Sequence, residues 1–105
     1  MEGLKIINLT LTAYSWISTS LGAAEYSAFN SSQQVKEGTT FGAFFCELAA
    51  SHPEFRQQVF DPGTGKVSAK VILVVNKRIV QWEKIINTEI RNNDNLILTP
   101  IILGG

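Results

Sequence analysis

The sequence predicts an α+β roll, a mixed sheet of four or five strands with one main helix packed across one face. Three observations carry this expectation. The segment "KIINLTLT" alternates apolar and polar residues with the period of a strand, whereas "FGAFFCELAA" repeats its apolar residues with the period of a helix. A second apolar run, "NLILT", lies near the opposite end of the chain. Two strongly apolar strands at opposite chain ends are best accommodated side by side in the middle of the sheet, running parallel, with the shorter hairpins outside.

In "KIINLTLT", Ile7, Leu9 and Leu11 share one face and Asn8, Thr10 and Thr12 the other, so this first strand is half buried. The stretch "AYSWISTSLGAAEYSAFNSSQQV" is rich in Ser, Ala and Gly and reads as a loop followed by a weaker strand around 25–29, paired with the first. Thr39 or Thr40 then caps a helix whose Phe41, Phe44, Phe45 and Leu48 recur at i, i+3, i+4 and i+7. Gly42 weakens that helix by up to about 1 kcal/mol relative to alanine. Pro53 disfavours helical geometry at His52, which puts the helix end near Ser51.

"DPGTGK" is a turn cluster opening into "VSAKVILVVN", where Val67, Ala69, Val71, Leu73 and Val75 hold one face. Ile72 and Val74 make the second half apolar on both faces, the pattern of a centrally placed strand. "NKRIV" reads as a tight turn into a short strand, and "NTEIRNND" as a short connection with room for one helical turn. "NLILT" is the last strand, its ladder ended by Pro100.

A chain of 105 residues is the size of one domain. Residues 1–105 are therefore read as a single domain with a flexible C-terminal tail over about 100–105. Nine acidic side chains balance nine basic ones, and Lys77, Arg78 and Lys84 make too small a basic patch to suggest nucleic acid as a partner. The single Cys46 excludes an internal disulfide framework and suits a reducing cytoplasm, while one histidine leaves no structural zinc cluster. The N-terminal apolar run is interrupted by Asn8, Thr10 and Thr12, a poor signal peptide, and no stretch approaches the roughly 18 apolar residues of a membrane span.

Little in the chain resembles a catalytic constellation. Cys46 and His52 lie six apart, a separation that does not stack them on one helical face, so Cys46 reads as an inert thiol and His52 as a surface cap of the helix. The acidic residues show no metal-ligand spacing, and "DPGTG" lacks the Lys and Ser or Thr of a phosphate-binding loop. Trp16 and Trp82 are candidates either for core and loop anchoring or for a partner-facing patch.

What remains is the chain end, "LTPIILGG". A free carboxylate is a poor electrophile, but transfer of a nucleotide phosphoryl group to it makes a mixed anhydride that a sulfur or nitrogen nucleophile can attack. Gly104 and Gly105 form a thin arm able to thread a narrow cleft, with Pro100 stiffening its base. Taken alone, a glycine pair reads as a frayed, idle tail more readily than as a working end.

Read in order, Glu37-Gly38-Thr39-Thr40-Phe41, His52-Pro53-Glu54-Phe55, Val75-Asn76-Lys77, Asn93-Asp94-Asn95 and Pro100-Ile101-Ile102-Leu103-Gly104-Gly105 match the pattern "eGtTv", "hPel", "vNg", "GDe" and "PpvaGG". In this the chain resembles the ThiS and MoaD family of ubiquitin-like sulfur carriers over nearly its full length. The resemblance implies the ubiquitin-like β-grasp, in agreement with the roll. It also implies a carrier without an active site or bound cofactor of its own, acting in the cytoplasm.

In that family a MoeB/ThiF-like adenylating enzyme uses ATP to activate the terminal glycine. A sulfur donor such as a cysteine desulfurase or a rhodanese then leaves a thiocarboxylate. The MoaD branch gives this sulfur to a molybdopterin precursor with its tail inserted into a MoaE-like catalytic subunit, and the ThiS branch gives it to thiazole synthesis. Carried over, Gly105 bears the activated carboxyl, Gly104 gives it passage, and Pro100, Ile101, Ile102 and Leu103 contact the partner. A modifier joined to lysines through Gly105, and an interaction module with an idle tail, are the alternatives. The chain departs from the family pattern at Lys77 and Asn93, which replace turn glycines, and at Ile101 and Leu103 in the tail. Asparagine visits left-handed conformations readily, whereas Lys77 predicts a turn of different shape.

Overall fold

Alternation in the first strand decides where the sheet forms. In the computed structural model, which describes residues 5–25 and 27–101, strand β1 spans Ile6–Ala13 and buries Ile7, Leu9, Leu11 and Ala13 on one face. Strand β2, Phe29–Lys36, pairs antiparallel with it in unbroken register, from Ile6 opposite Lys36 to Ala13 opposite Phe29. The predicted pairing is present, but the strand begins at Phe29 rather than Glu25. The connection contains a short helix, α1 (Ser15–Ser20), where the serine content suggested a loop. Ile17 and Leu21, one helical turn apart, are buried. The buried serines satisfy themselves locally, Ser18 Oγ donating to the Ser27 carbonyl and Ser20 Oγ to the Ile17 carbonyl.

Helix α2 runs Phe41–Ser51, as the periodicity predicts, and buries Phe41, Phe44, Phe45 and Leu48. Thr40 is its cap, its Oγ1 accepting from the Ala43 N–H at 3.1 Å. The amides of Phe41 and Gly42, orphaned by position at a helix start, donate to the carbonyls of Thr88 and Ile86 at 3.0 Å each. A Cβ built on Gly42 would lie 2.5 Å from the Ile86 carbonyl oxygen, so this glycine is set by a close backbone approach.

His52 closes α2, its Nδ1 3.2 Å from the Leu48 carbonyl, and also opens a further helix, α3 (Pro53–Val59). Proline fits the first turn of a helix because its missing N–H would be unpaired there, and Glu54 favours the same end through the helix dipole. Phe55 and Val59 point one turn apart into the core. Phe45 lies at the centre of an aromatic cluster, with ring centroids 4.9 Å from Trp82, 6.2 Å from Phe55 and 6.3 Å from Phe60.

The third strand is shorter and less central than predicted: β3 covers Val71–Val75 only. The turn through Pro62, Gly63 and Gly65 folds Val67 back against Phe60 in an isolated bridge, which takes 67–70 out of the ladder and leaves Ala69 exposed. Strand β4 (Arg78–Val80) follows, and helix α4 (Trp82–Ile85) supplies the expected helical turn earlier in the chain than 87–94. Strand β5 spans Asp94–Pro100 with Leu96 and Leu98 fully buried.

The sheet order is β2-β1-β5-β3-β4, with β1 and β5 parallel and all other neighbours antiparallel. The first and last strands are thus adjacent and parallel, as expected, and β5 rather than β3 is the central strand. Ile72 and Val74, read as buried on a second face, are only half buried, because the helices lie on the other side.

The β3–β4 turn keeps the two-residue hairpin shape despite its lysine. Asn76 and Lys77 have φ of 50° and 71°, both in the left-handed region, between Val75 and Arg78, which pair directly. Asn93 is likewise left-handed at φ 70°. Lysine carries a Cβ penalty there, so Lys77→Gly is expected to stabilise the domain by about 1 kcal/mol, offset in part by the greater freedom of the unfolded chain. Chemical denaturation of the two proteins measures this, with the shift expected in midpoint rather than slope.

Candidate functional site

The site is built where β5 leaves the sheet. Pro100 lies opposite Val71 in the last pair of the ladder, the strand end expected of it, and the Ile101 N–H just beyond donates to the Lys70 carbonyl at 2.9 Å. Neighbouring residues of a strand direct their amides to opposite sides. The Pro100 nitrogen therefore faces the β1 side, past the last β1–β5 pair of Ala13 with Leu98, where no ladder bond is lost. Ile101 is 41% exposed. Ile102 and Leu103, expected to contact the partner, and Gly104 and Gly105, expected to carry the chemistry, lie outside the described residues.

Around this exit is an open depression of about 700 Å³ lined by Trp16 of α1, Gln57 and Gln58 of α3, Ala69, Lys70, Pro100 and Ile101. The packing of α1 and α3, neither expected from the sequence, assembles this wall. It presents a half-buried indole, a proline ring and an isoleucine beside amide side chains and one lysine. Trp82, by contrast, is 8% exposed within the aromatic cluster and belongs to the core. A signal for α3 was present in "HPEFRQQV", with proline at the first helical position and Phe55 and Val59 four apart. "SWISTSL" offered only Ile17 and Leu21 for α1.

A second depression, between α2, α3 and the turn at 61–65, is lined by Cys46, Ala49, Pro53, Arg56, Phe60 and Pro62 among others. The Cys46 thiol is exposed. Among the described residues, no group of three or more His, Cys, Asp and Glu is placed to hold a metal ion, and no helix is long and apolar enough to cross a membrane. On the sheet face away from the helices, Ile79 (76% exposed) lies opposite Val74, which in turn lies opposite Ile97, an apolar strip.

Two sequence motifs separated along the chain meet beside the β3–β4 turn. The Asn76 side chain donates to Asp94 Oδ1 at 2.8 Å and accepts from the Asn95 N–H at 2.9 Å, while its own N–H donates to the Asn95 carbonyl. Asp94 Oδ2 accepts from the Arg91 N–H at 2.8 Å. These bonds join the turn to the start of the strand that leads to the tail, so both motifs act structurally. Asn76→Ala is expected to cost about 1–2 kcal/mol, because partners lose their bonds at an exposed position where water partly replaces them. Thermal unfolding measures it, and an unchanged midpoint would remove that role.

A mixed five-stranded sheet that carries its main helix across one face and hands its last strand to an exposed end defines a ubiquitin-like β-grasp protein. The sequence profile of the ThiS family matches residues 23–105, and the chain belongs to that family. Comparison with curated protein sequences gives no significant match.

Among solved structures the chain is similar to SAMP1, small archaeal modifier protein 1, from Haloferax volcanii, with TM-score 0.70 and 17% identity over 93% of this chain and 99% of that one. It is also similar to a protein described as molybdopterin converting factor subunit 1 from Pyrococcus furiosus, with TM-score 0.66 and 18% identity over 91% and 99% of the two chains. The same modifier from Methanosarcina acetivorans aligns with TM-score 0.66 and 11% identity, over 96% and 99%. At these identities the likeness shows the fold.

Proposed function

We propose that the chain is a sulfur carrier of the MoaD kind, serving molybdopterin biosynthesis through its last residue. The Gly105 carboxylate attacks the α-phosphorus of ATP in a MoeB/ThiF-like activating enzyme and pyrophosphate leaves. A persulfide carried by a cysteine desulfurase or rhodanese then attacks the acyl carbon and displaces AMP, and a second thiol cleaves the resulting acyl disulfide, leaving a disulfide between the two thiols and, on the chain, the thiocarboxylate. That sulfur passes to an acceptor held by a MoaE-like subunit. The chain itself binds no cofactor in this scheme and contributes a presented carboxyl rather than an active site.

The observation that carries the reading is the geometry of the exit. Ile101 is still tied to the Lys70 carbonyl, and only four residues, ending in the glycine pair, follow it in the sequence. In this reading the reactive end follows the exit closely in sequence, and the patch of Trp16, Pro100 and Ile101 at that exit would seat against the partner. Intact mass after incubation with ATP and the activating enzyme tests it. The adenylate is expected first, then the gain from replacing one carboxylate oxygen by sulfur; the mass of the native protein also reports whether Gly105 carries the terminal carboxyl. Neither product with any activator of the class would overturn the reading.

The likeness to small archaeal modifiers favours one second reading, in which the same activated carboxyl meets a lysine amine. A Gly-Gly remnant on lysines of other proteins after digestion of native cells distinguishes it. Donation to thiazole synthesis, the other branch of the family, shares every step up to the thiocarboxylate and differs only in the acceptor.

A further inference from the structure

The two edges of the sheet are treated differently. Strand β4 is three residues long and carries Arg78, preceded by Lys77, which are ordinary guards against added strands. Strand β2 is eight residues long, lies at the opposite edge, and has no proline and no bulge in its register with β1. It is uncharged from Phe29 to Val35. Among the described residues, none of the usual protections is present along that stretch.

The direction of its backbone groups follows from the bonds nearby. The Glu37 N–H donates to the Lys5 carbonyl, so in this antiparallel ladder the odd residues Phe29, Ser31, Gln33 and Val35 turn their amides to β1. Asn30, Ser32, Gln34 and Lys36 therefore turn theirs outward. Consistent with that parity, the Asn8 carbonyl and the Tyr14 amide of β1 bond on its other side, toward Asn93 and Leu98. The side chains of Asn30, Ser32 and Gln34 are exposed on the open face and do not obstruct the edge.

We infer that β2 pairs with β2 of a second copy of this chain, antiparallel about a two-fold axis through Gln33. That register sets Ser32 opposite Gln34, Asn30 opposite Lys36 and Gln33 opposite itself, and it uses the outward amides of all four even positions. The strand is complementary to itself in charge: neither Lys36 nor Glu37 meets a like charge, and the chain has no net charge to drive copies apart. The result is one continuous sheet of both copies, with all helices on the same face. Since the axis stands perpendicular to the sheet, the two β5 strands run in opposite directions and the two tails leave from opposite ends, both open to a partner. A contact made by one strand edge covers little area, so the association is weak and reversible. It is independent of whether Gly105 accepts sulfur.

Sedimentation velocity of the full chain from micromolar to millimolar concentration is the first test, with a concentration-dependent monomer–dimer equilibrium expected. Residue-resolved hydrogen exchange on the unaltered protein is the second. Amides of Asn30, Ser32 and Gln34 should slow as concentration rises, while those of Ser31 and Gln33 are protected throughout. Ser32→Lys with Gln34→Lys sets ammonium groups opposite one another across the axis and should give a monomer with unchanged circular dichroism and melting. Mixing it with the Ser32→Glu, Gln34→Glu variant should restore the dimer as a heterodimer. A chain monomeric at millimolar concentration, a lysine variant that dimerises like its parent, or protection of the even amides only when a different protein is added would each overturn self-pairing.

Discussion

Removal of Gly104 and Gly105 is expected to lower the rate of adenylation by the activating enzyme roughly 100-fold or more, since the carboxyl then ends at Leu103, well short of the reacting phosphorus, and positioning losses of even an ångström carry that penalty. ATP-dependent pyrophosphate release, followed with the truncated and intact chains, measures it. The fold should not change. The last ladder bond described, from Ile101 to the Lys70 carbonyl, lies ahead of the deletion, so the melting temperature of the shortened chain is expected to match the parent. Adenylation of the truncated chain at the parent rate would assign the glycine pair to an idle tail. Gly105→Ala separates reach from thinness: it keeps the length and adds one methyl group at the carbon next to the carboxyl.

Gly42→Ala is expected to destabilise the domain by roughly 2–3 kcal/mol, opposite in sign to the gain of up to about 1 kcal/mol that helix propensity alone assigns to the change. The added methyl would sit 2.5 Å from the Ile86 carbonyl oxygen and 2.7 Å from the Ile86 side chain. The oxygen is backbone and cannot step aside without disturbing the bond it accepts from the Gly42 N–H. Moving the helix away would also strain the Phe41 bond to Thr88 and loosen the packing of Phe45 on Trp82. Urea unfolding with tryptophan fluorescence reads the effect, Trp82 being in the affected cluster. A more stable variant would mean that the local rule outweighs the contact.

The opposition between those two values of Gly42 shows where sequence reading stops. Period and propensity are properties of neighbouring residues, and they identified α2, the two threonines of which Thr40 is its cap, the buried face of β1 and the hairpin at Asn76 directly. The contact between Gly42 and Ile86 joins residues far apart in the chain, so no local signal reports it. Lys77 shows the same limit from the other side. Its side chain argues against the left-handed turn, but the Asn76 bonds to Asp94 and Asn95, together with the pairing of Val75 with Arg78, outweigh a local penalty of about 1 kcal/mol.

Serine composition misled over Ser15–Ser20 for a related reason. Serine is a loop former where water receives its hydroxyl, yet the chain returns past α1 and offers the Ser27 carbonyl to Ser18. The strand at Val71–Val75 was overextended because Val67 and Ala69 keep the alternation that Pro62 and the glycines of the turn divert toward Phe60.

By itself the sequence determined the class of fold and the parallel pairing of its first and last strands, and it points to Gly104 and Gly105 for the proposed chemistry. These follow from alternation, helical spacing and the order of short motifs, all written along the chain. Only the tertiary structure decided that α1 and α3 build a wall of Trp16, Gln57 and Gln58 around the exit of Pro100 and Ile101, and that β2 is left as an edge unguarded among the described residues. Each of those depends on which segments meet in space, and burial of a shared core, rather than local preference, determines that.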